Sequence, residues 1–193
     1  MNEYKLDDIT LMGGWFIPEK VCDNLIEYFN NNKNLHRLGY QGTGGKNILN
    51  TDVKESTDLS IKHNAENEYV PHLHKCLDLY IKKYNYINQQ SKFGLTKNYQ
   101  IQHYKKGGGY KKWHFENAAE SVLDRCLVFM TFLNDIDDGG TDFLYQNLTI
   151  PAKKGLTLIW PAYWTHTHKS QVTKNKEKYI ITGWLNYVWR ILR

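Results

Sequence analysis

The chain has little of what would staple it, break it or carry it through a bilayer. Its 193 residues include three cysteines, Cys22, Cys76 and Cys126. They are far apart and odd in number, so neither a disulfide framework nor a zinc knuckle is implied, and a reducing cytosol is the natural compartment. There is no internal repeat, no low-complexity segment and no Pro/Ser linker. No apolar run approaches the roughly 18 residues of a membrane span. The opening MNEYKLDDITLMGGWFIPEK lacks a positively charged start followed by an apolar core, so it does not read as a signal peptide, and no membrane partner is expected. Charge of one sign is also scarce. Lys and Arg number 25 against 20 Asp and Glu, a net +5 that is mostly lysine. That is compatible with an anionic partner and does not demand one.

Large side chains are plentiful: 14% of residues are aromatic and 41% apolar, which excludes a disordered chain. The length suits one domain, 1–193, burying roughly 70% of its unfolded surface. Within it, 1–97 read as helical support with a loop, and 98–193 as a strand-rich region. Pro18 opens a first helix whose apolar face is Val21, Cys22, Leu25, Ile26 and Phe29; the asparagines at 30–32 end it. Residues 37–58 form a polar, glycine-bearing loop, either a connector or a lid. A second helix spans about 66–84, with Val70, Leu73, Leu77, Tyr80 and Ile81 on one side.

From residue 98 the period becomes two: Tyr99, Ile101 and His103 alternate with Gln100, Gln102 and Tyr104. Gly107–Gly109 then reads as a hairpin turn. Residues 126–133 (CLVFMTFL) are a strand buried on both faces. A loop with Asp137, Asp138, Gly139 and Gly140 follows, then strands at 143–150, 155–160, 164–168 and 178–189. Many short strands with turn signals point to an α+β fold: a jelly roll with helices packed outside it.

The first chemical signal is Trp113-His114-Phe115-Glu116. On a strand, His114 and Glu116 project the same way, giving two thirds of the 2-His-1-carboxylate triad that holds Fe(II) with open positions. Alone, such a tripeptide is common by chance. A third ligand can come from Thr165-His166-Thr167-His168, whose two histidines share a face. Ten residues beyond His168, Lys178 opens another strand. A cation there suits the distal carboxylate of a 2-oxoglutarate molecule chelating such an iron, since a buried carboxylate needs a charge partner. Thr182 shares the Lys178 face and offers a hydroxyl. His72 and His74, at i and i+2 of a helix, cannot share a face and are not a metal pair.

Together, residues 98–185 resemble the catalytic core of the prolyl 4-hydroxylase branch of the Fe(II)/2-oxoglutarate-dependent dioxygenases, in its short single-domain viral and bacterial form. The resemblance is carried by Tyr104-KKGGG-Tyr110-KKW-His114-F-Glu116, by Arg125-Cys126 and Phe132-Leu133-Asn134, by Asp138-Gly139-Gly140-Thr141-Asp142-Phe143, and by Trp160-Pro161, His168 and Lys178–Trp184. It implies a double-stranded β-helix. It also implies Fe(II) on His114, Glu116 and His168, which form the catalytic centre, and 2-oxoglutarate bound by Lys178, Tyr104 and Thr182. Arg125, Trp184, Tyr110 and His166 fall on the substrate side. The cosubstrate would be O2, with ascorbate as a candidate reductant, and the substrate a proline-containing peptide or protein. The +10 spacing to Lys178 favours His168 over His166 as the ligand. The sequence departs from the family in three places: Glu116 replaces the usual Asp, the Gly-Gly segment is one residue shorter, and Phe132 stands where relatives often have tyrosine. Alternatives are the same iron chemistry on a free amino acid or, less favoured, a nucleic-acid base, and lastly a non-enzymatic jelly-roll binding module. The Lys- and Asn-heavy composition and the viral resemblance point to a phage-encoded protein of the host cytoplasm. The oligomeric state is left open.

Overall fold

An uninterrupted apolar strand needs cover on both faces, and two separate cores provide it. In a computed structural model, which describes residues 1–43, 46–64 and 66–188, the run forms the strand Arg125–Phe132, buried along all but its first residue. Leu127 and Phe129 point into a core shared with the helices. Val128, Met130 and Phe132 point into a second core between two sheets. The period-two alternation of side chains is what serves both.

The larger sheet runs in the order Gly13–Phe16, Leu156–Pro161, Arg125–Phe132, Lys178–Tyr187, Tyr99–Tyr104, Thr57–Ile61 and Arg37–Leu38, with Phe93–Gly94 also pairing with Lys178–Tyr187. All these pairings are antiparallel. A smaller sheet, in the order Leu148–Ala152, Ile136–Phe143 and His168–Ser170, closes over the second core. The result is a double-stranded β-helix. Helices Glu19–Asn31 and Tyr69–Lys83 cover the outer face of the larger sheet, burying Val21, Cys22, Leu25 and Phe29 from one and Leu73, Cys76, Leu77 and Tyr80 from the other. The second helix starts at Tyr69 because Asn67 Oδ1 accepts the N–H groups of Tyr69 and Val70 at 3.0 and 3.3 Å, an Asx cap just ahead of the first turn.

Several sequence expectations are corrected by the backbone. The first 97 residues are more than helical support, since they give four strands to the larger sheet. The polar stretch 37–58 carries short strands: Arg37–Leu38, Gln41–Thr43, Lys46–Ile48 and Lys54–Glu55; residues 44–45, at its glycine-rich tip, lie outside the described residues. The triple glycine does not fold Tyr99–Tyr104 back on itself. Gly107 takes φ +83° and the Gly108 N–H closes a turn on the Lys105 carbonyl. Gly109–Tyr110 then leaves to pair with Lys54–Glu55, because both edges of Tyr99–Tyr104 are already taken. Residues 137–140 lie inside the strand Ile136–Phe143, whose register with Leu148–Ala152 slips between Ile136 and Thr141. The slip accommodates Gly140, where a Cβ would lie 2.4 Å from the Ile150 carbonyl oxygen. Residues Trp164–His166 form a 3-10 turn, and the strand expected there begins at His168.

Candidate metal and cosubstrate site

One end of the second core opens into a cavity of about 740 Å³. Strand alternation furnishes its floor: Lys178, Ile180, Thr182 and Trp184 line it, while Tyr179, Ile181 and Leu185 turn to the helix-side core. Gln100, Gln102 and Tyr104 project into it from the neighbouring strand, in the register Lys178 opposite Tyr104 and Thr182 opposite Gln100.

His114, Glu116 and His168 converge at the cavity wall. One ligand atom from each lies within 4.8 Å of the other two. His114 and Glu116 are not on a regular strand, as the sequence suggested. His114 and His168 exchange both backbone hydrogen bonds in an isolated bridge, at 3.0 and 2.9 Å, and the Glu116 N–H is held by the Ala162 carbonyl at 3.0 Å. The backbone crosses from one sheet toward the other here, and tertiary bonding rather than pleat brings the two side chains together.

The donor set suits a metal in detail. Nδ1 of His114 sits 2.9 Å from the Lys112 carbonyl, and Nδ1 of His168 sits 2.9 Å from the His166 carbonyl. A carbonyl only accepts, so each Nδ1 carries its proton and each Nε2 offers a lone pair. Both Nε2 atoms face the same Glu116 oxygen, Oε1, at 3.6 Å. The other oxygen, Oε2, is occupied by the Trp184 indole N–H at 3.0 Å and by Arg125 Nη1 at 3.3 Å. Arg125 also donates to the Glu116 carbonyl at 2.7 Å and lies 3.5 Å over the Trp184 ring. Glu116 thus presents one oxygen inward and has the second tied back, which accommodates the longer side chain in place of Asp. Tyr110 stacks on the His114 ring at 3.6 Å, and Trp160 packs on His168 at 5.2 Å. Burial, reinforced by the facing His168, lowers the His114 pKa and keeps its imidazole neutral. Burial alone would raise the Glu116 carboxyl, but a proton on the Nε2 of either histidine, facing Oε1, opposes this by hydrogen bond and charge and holds the carboxyl well below its usual range. A neutral imidazole and an ionised carboxylate are the forms that ligate.

Lys178 is 2% exposed. Its ammonium donates to the carbonyls of Gly139 and Gln171, both at 3.0 Å, and to the Ser170 hydroxyl, with the Tyr104 ring 5.2 Å away. These oxygens satisfy its hydrogens without neutralising its charge, and among the described residues it forms no ion pair. Burial therefore pulls its pKa down to about 8, against a small opposing pull from Asp138. A buried cation without a counter-ion, at the side of a cavity that also holds the three ligands, fits a dicarboxylate cosubstrate.

Other expected residues behave differently. Thr182 lines the cavity, but its hydroxyl donates to the Phe129 carbonyl at 2.9 Å. The Tyr104 hydroxyl donates to Gln102 at 2.5 Å. Tyr110 and Arg125 line the cavity yet also brace His114 and Glu116. His166 is corrected: it does not share a face with His168 and is absent from the cavity lining. The 3-10 turn aims it the other way, with Nε2 2.8 Å from the Thr10 carbonyl. Trp113, next to His114 in the sequence, turns outward: it is 42% exposed and lies under Lys169 at 4.5 Å. Not anticipated were Arg37, Gln100, Gln102 and the buried pair Lys54–Asp58, 2.6 Å apart, all of which line the cavity. The alternation placing Gln100 and Gln102 beside Tyr104 was visible in the sequence. The pairing of Lys54 with Tyr110 across two short strands was not.

Residues 99–186 match the family model described as the 2OG-Fe(II) oxygenase superfamily. No curated protein is similar enough in sequence to count as a relative. Solved structures are similar in fold. A viral collagen prolyl hydroxylase from Paramecium bursaria Chlorella virus-1, in complex with 2OG, aligns with TM-score 0.70 at 19% identity over 95% of this chain and 100% of its own. A Pseudomonas putida prolyl-4-hydroxylase gives 0.66 at 13% over 94% and 99%. A Trichoplax adhaerens prolyl hydroxylase, in complex with a hypoxia inducible factor peptide fragment, gives 0.73 at 15% over 92% and 84%. Residues 99–186 thus resemble that superfamily over somewhat less than half of the chain, and the protein is a dioxygenase that works with Fe(II), 2-oxoglutarate and O2.

Proposed function

We propose that this dioxygenase hydroxylates prolyl residues of a peptide or protein. The observation that carries the reading is the joint presence, in one cavity, of a 2-His-1-carboxylate cluster and a buried lysine with no counter-ion among the described residues. The prolyl assignment draws its support from the shared architecture with prolyl hydroxylases over nearly the whole chain.

In this reading His114, Glu116 and His168 hold the iron through Nε2, Oε1 and Nε2. Lys178 takes the distal carboxylate of 2-oxoglutarate, exchanging one neutral oxygen for a charged one. When bound, the iron and keto acid supply the oxidising power: O2 gives one atom to succinate, formed with release of CO2, and the other to a C–H bond of the substrate. The chain's own residues position and exclude. Arg125 and Trp184 fix the Glu116 carboxylate. Phe132, Ile180, Val128 and Met130 give the inner cavity an apolar wall that keeps water away. Gln100, Gln102 and Tyr104 form a hydrogen-bonded polar strip on one side.

The test is oxygen-dependent succinate formation with proline-containing peptides, with mass analysis of the product. The expected result is the mass of one oxygen atom added on proline. Oxygen added only to another residue, to a free amino acid or to a nucleobase would replace the prolyl assignment.

A further inference from the structure

The charges lining the cavity do not cancel, and the residue responsible for the excess at its mouth is Arg37. Lys54 is matched by Asp58 at 2.6 Å, and Arg125 faces Glu116 at 3.3 Å. Fe(II) and the two carboxylates of 2-oxoglutarate contribute equal and opposite charge, which leaves two cations in excess: Lys178, buried within the cavity, and Arg37 at its mouth. Arg37 is exposed on the edge strand Arg37–Leu38, and its Nη1 donates only to the carbonyls of Asn34 and His36, at 3.4 and 2.8 Å. No carboxylate among the described residues pairs with it. Beside it, Leu38 and Tyr40 line the same mouth and are 58% and 50% exposed.

We propose that the substrate is an acidic segment, with an Asp or Glu side chain near the reacting residue that pairs with Arg37. This deepens the prolyl reading by naming the charge class of its substrate. A mouth of one sign concentrates oppositely charged partners and rejects like-charged ones. A peptide fits better than a nucleic acid, the other common polyanion. Successive bases need a run of free aromatic faces, whereas Trp184 is covered by Arg125, Tyr110 stacks on His114, and the mouth offers the single exposed ring of Tyr40 among the described lining residues.

The experiment measures binding of fluorescent peptides to the full chain loaded with Mn(II) and an unreactive 2-oxoglutarate analogue. Proline-containing peptides carry Asp or Asn at each flanking position, alongside proline-free versions, and a single-stranded oligonucleotide serves as competitor. At least one Asp peptide should bind about tenfold more tightly than its Asn twin, a difference of about 1.4 kcal/mol. Added salt should shrink the gap. Arg37→Gln should abolish the preference, Arg37→Glu reverse it, and Arg37→Lys restore most of it. Equal binding of the twins, no binding of either, or displacement by the oligonucleotide would overturn the proposal. Proline-free acidic peptides binding as tightly as the proline-containing ones, still through Arg37, would leave the charge reading standing and remove the prolyl one. Turnover on proline without an acidic preference would do the reverse.

Discussion

At the scale of single residues the site is held by few atoms, so single changes should be decisive. Glu116→Asp withdraws the carboxyl by one methylene, away from both Nε2 atoms and out of reach of the Trp184 indole. Metal affinity should fall roughly ten- to hundredfold, read by Mn(II) titration. Trp184→Phe keeps a ring beneath Arg125 but frees Glu116 Oε2; a smaller loss in the same titration is expected, and unchanged affinity would remove the indole from the site's support. Lys178→Met deletes the partner of the cosubstrate's distal carboxylate. On the order of 2 kcal/mol or more, roughly 30-fold, should be lost in 2-oxoglutarate affinity. The sign of the pH effect follows from the lysine's depressed pKa of about 8 against the ordinary 10.5. From about pH 8 to 10.5 the unfolded chain keeps this proton and the folded, cosubstrate-free chain does not. Its own stability contribution therefore rises with pH across that window. Cosubstrate binding needs the charged form and should weaken as pH rises through about 8. The stabilisation that 2-oxoglutarate gives in thermal melts should accordingly be larger at pH 7 than at pH 9.

Elements decide how these residues meet, and here the sequence was legible only in part. The apolar run at 126–133 and the alternation at 99–104 announced strands, because a two-sided or one-sided burial demand leaves a periodic trace. The His168-to-Lys178 spacing was readable because both lie near the ends of strands joined by a short connection. His166 misled: histidines two apart share a face only on a strand, and a 3-10 turn at Trp164–His166 rotates this one onto the Thr10 carbonyl. Arg37 and Lys54 left no trace, since short edge strands in a polar stretch have no apolar period, and their place in the cavity depends on long-range pairing with Thr57–Ile61 and Gly109–Tyr110. One glycine within a central strand is predicted to be intolerant for a packing reason. A Cβ at Gly183 would lie 2.6 Å from both the Phe129 ring and the Tyr99 Cβ. Gly183→Ala should cost about 1–3 kcal/mol in denaturant melts, while the half-buried Gly94, where a Cβ meets nothing, should tolerate alanine far better.

For the molecule as a whole, three free cysteines lie buried in the described fold, and burial pushes the Cys22 and Cys76 thiols up to about 12. Thiol reagents should therefore label the protein only as it unfolds, giving a simple gauge of the global transition. Metal and cosubstrate, binding the folded form alone, should raise the melting temperature together, with about 2.7 kcal/mol of added stability for a ligand at a hundred times its dissociation constant. The strand Lys178–Tyr187 serves two masters: its even-numbered positions from 178 to 184 floor the cavity, and its odd-numbered ones from 179 to 185 face the helices. Its descendants can therefore drift by substitution but not by length. Gaining or losing one codon between 178 and 184 would turn Lys178 or Trp184 toward the wrong side, so a lineage that altered the spacing would surrender catalysis and folding in the same step.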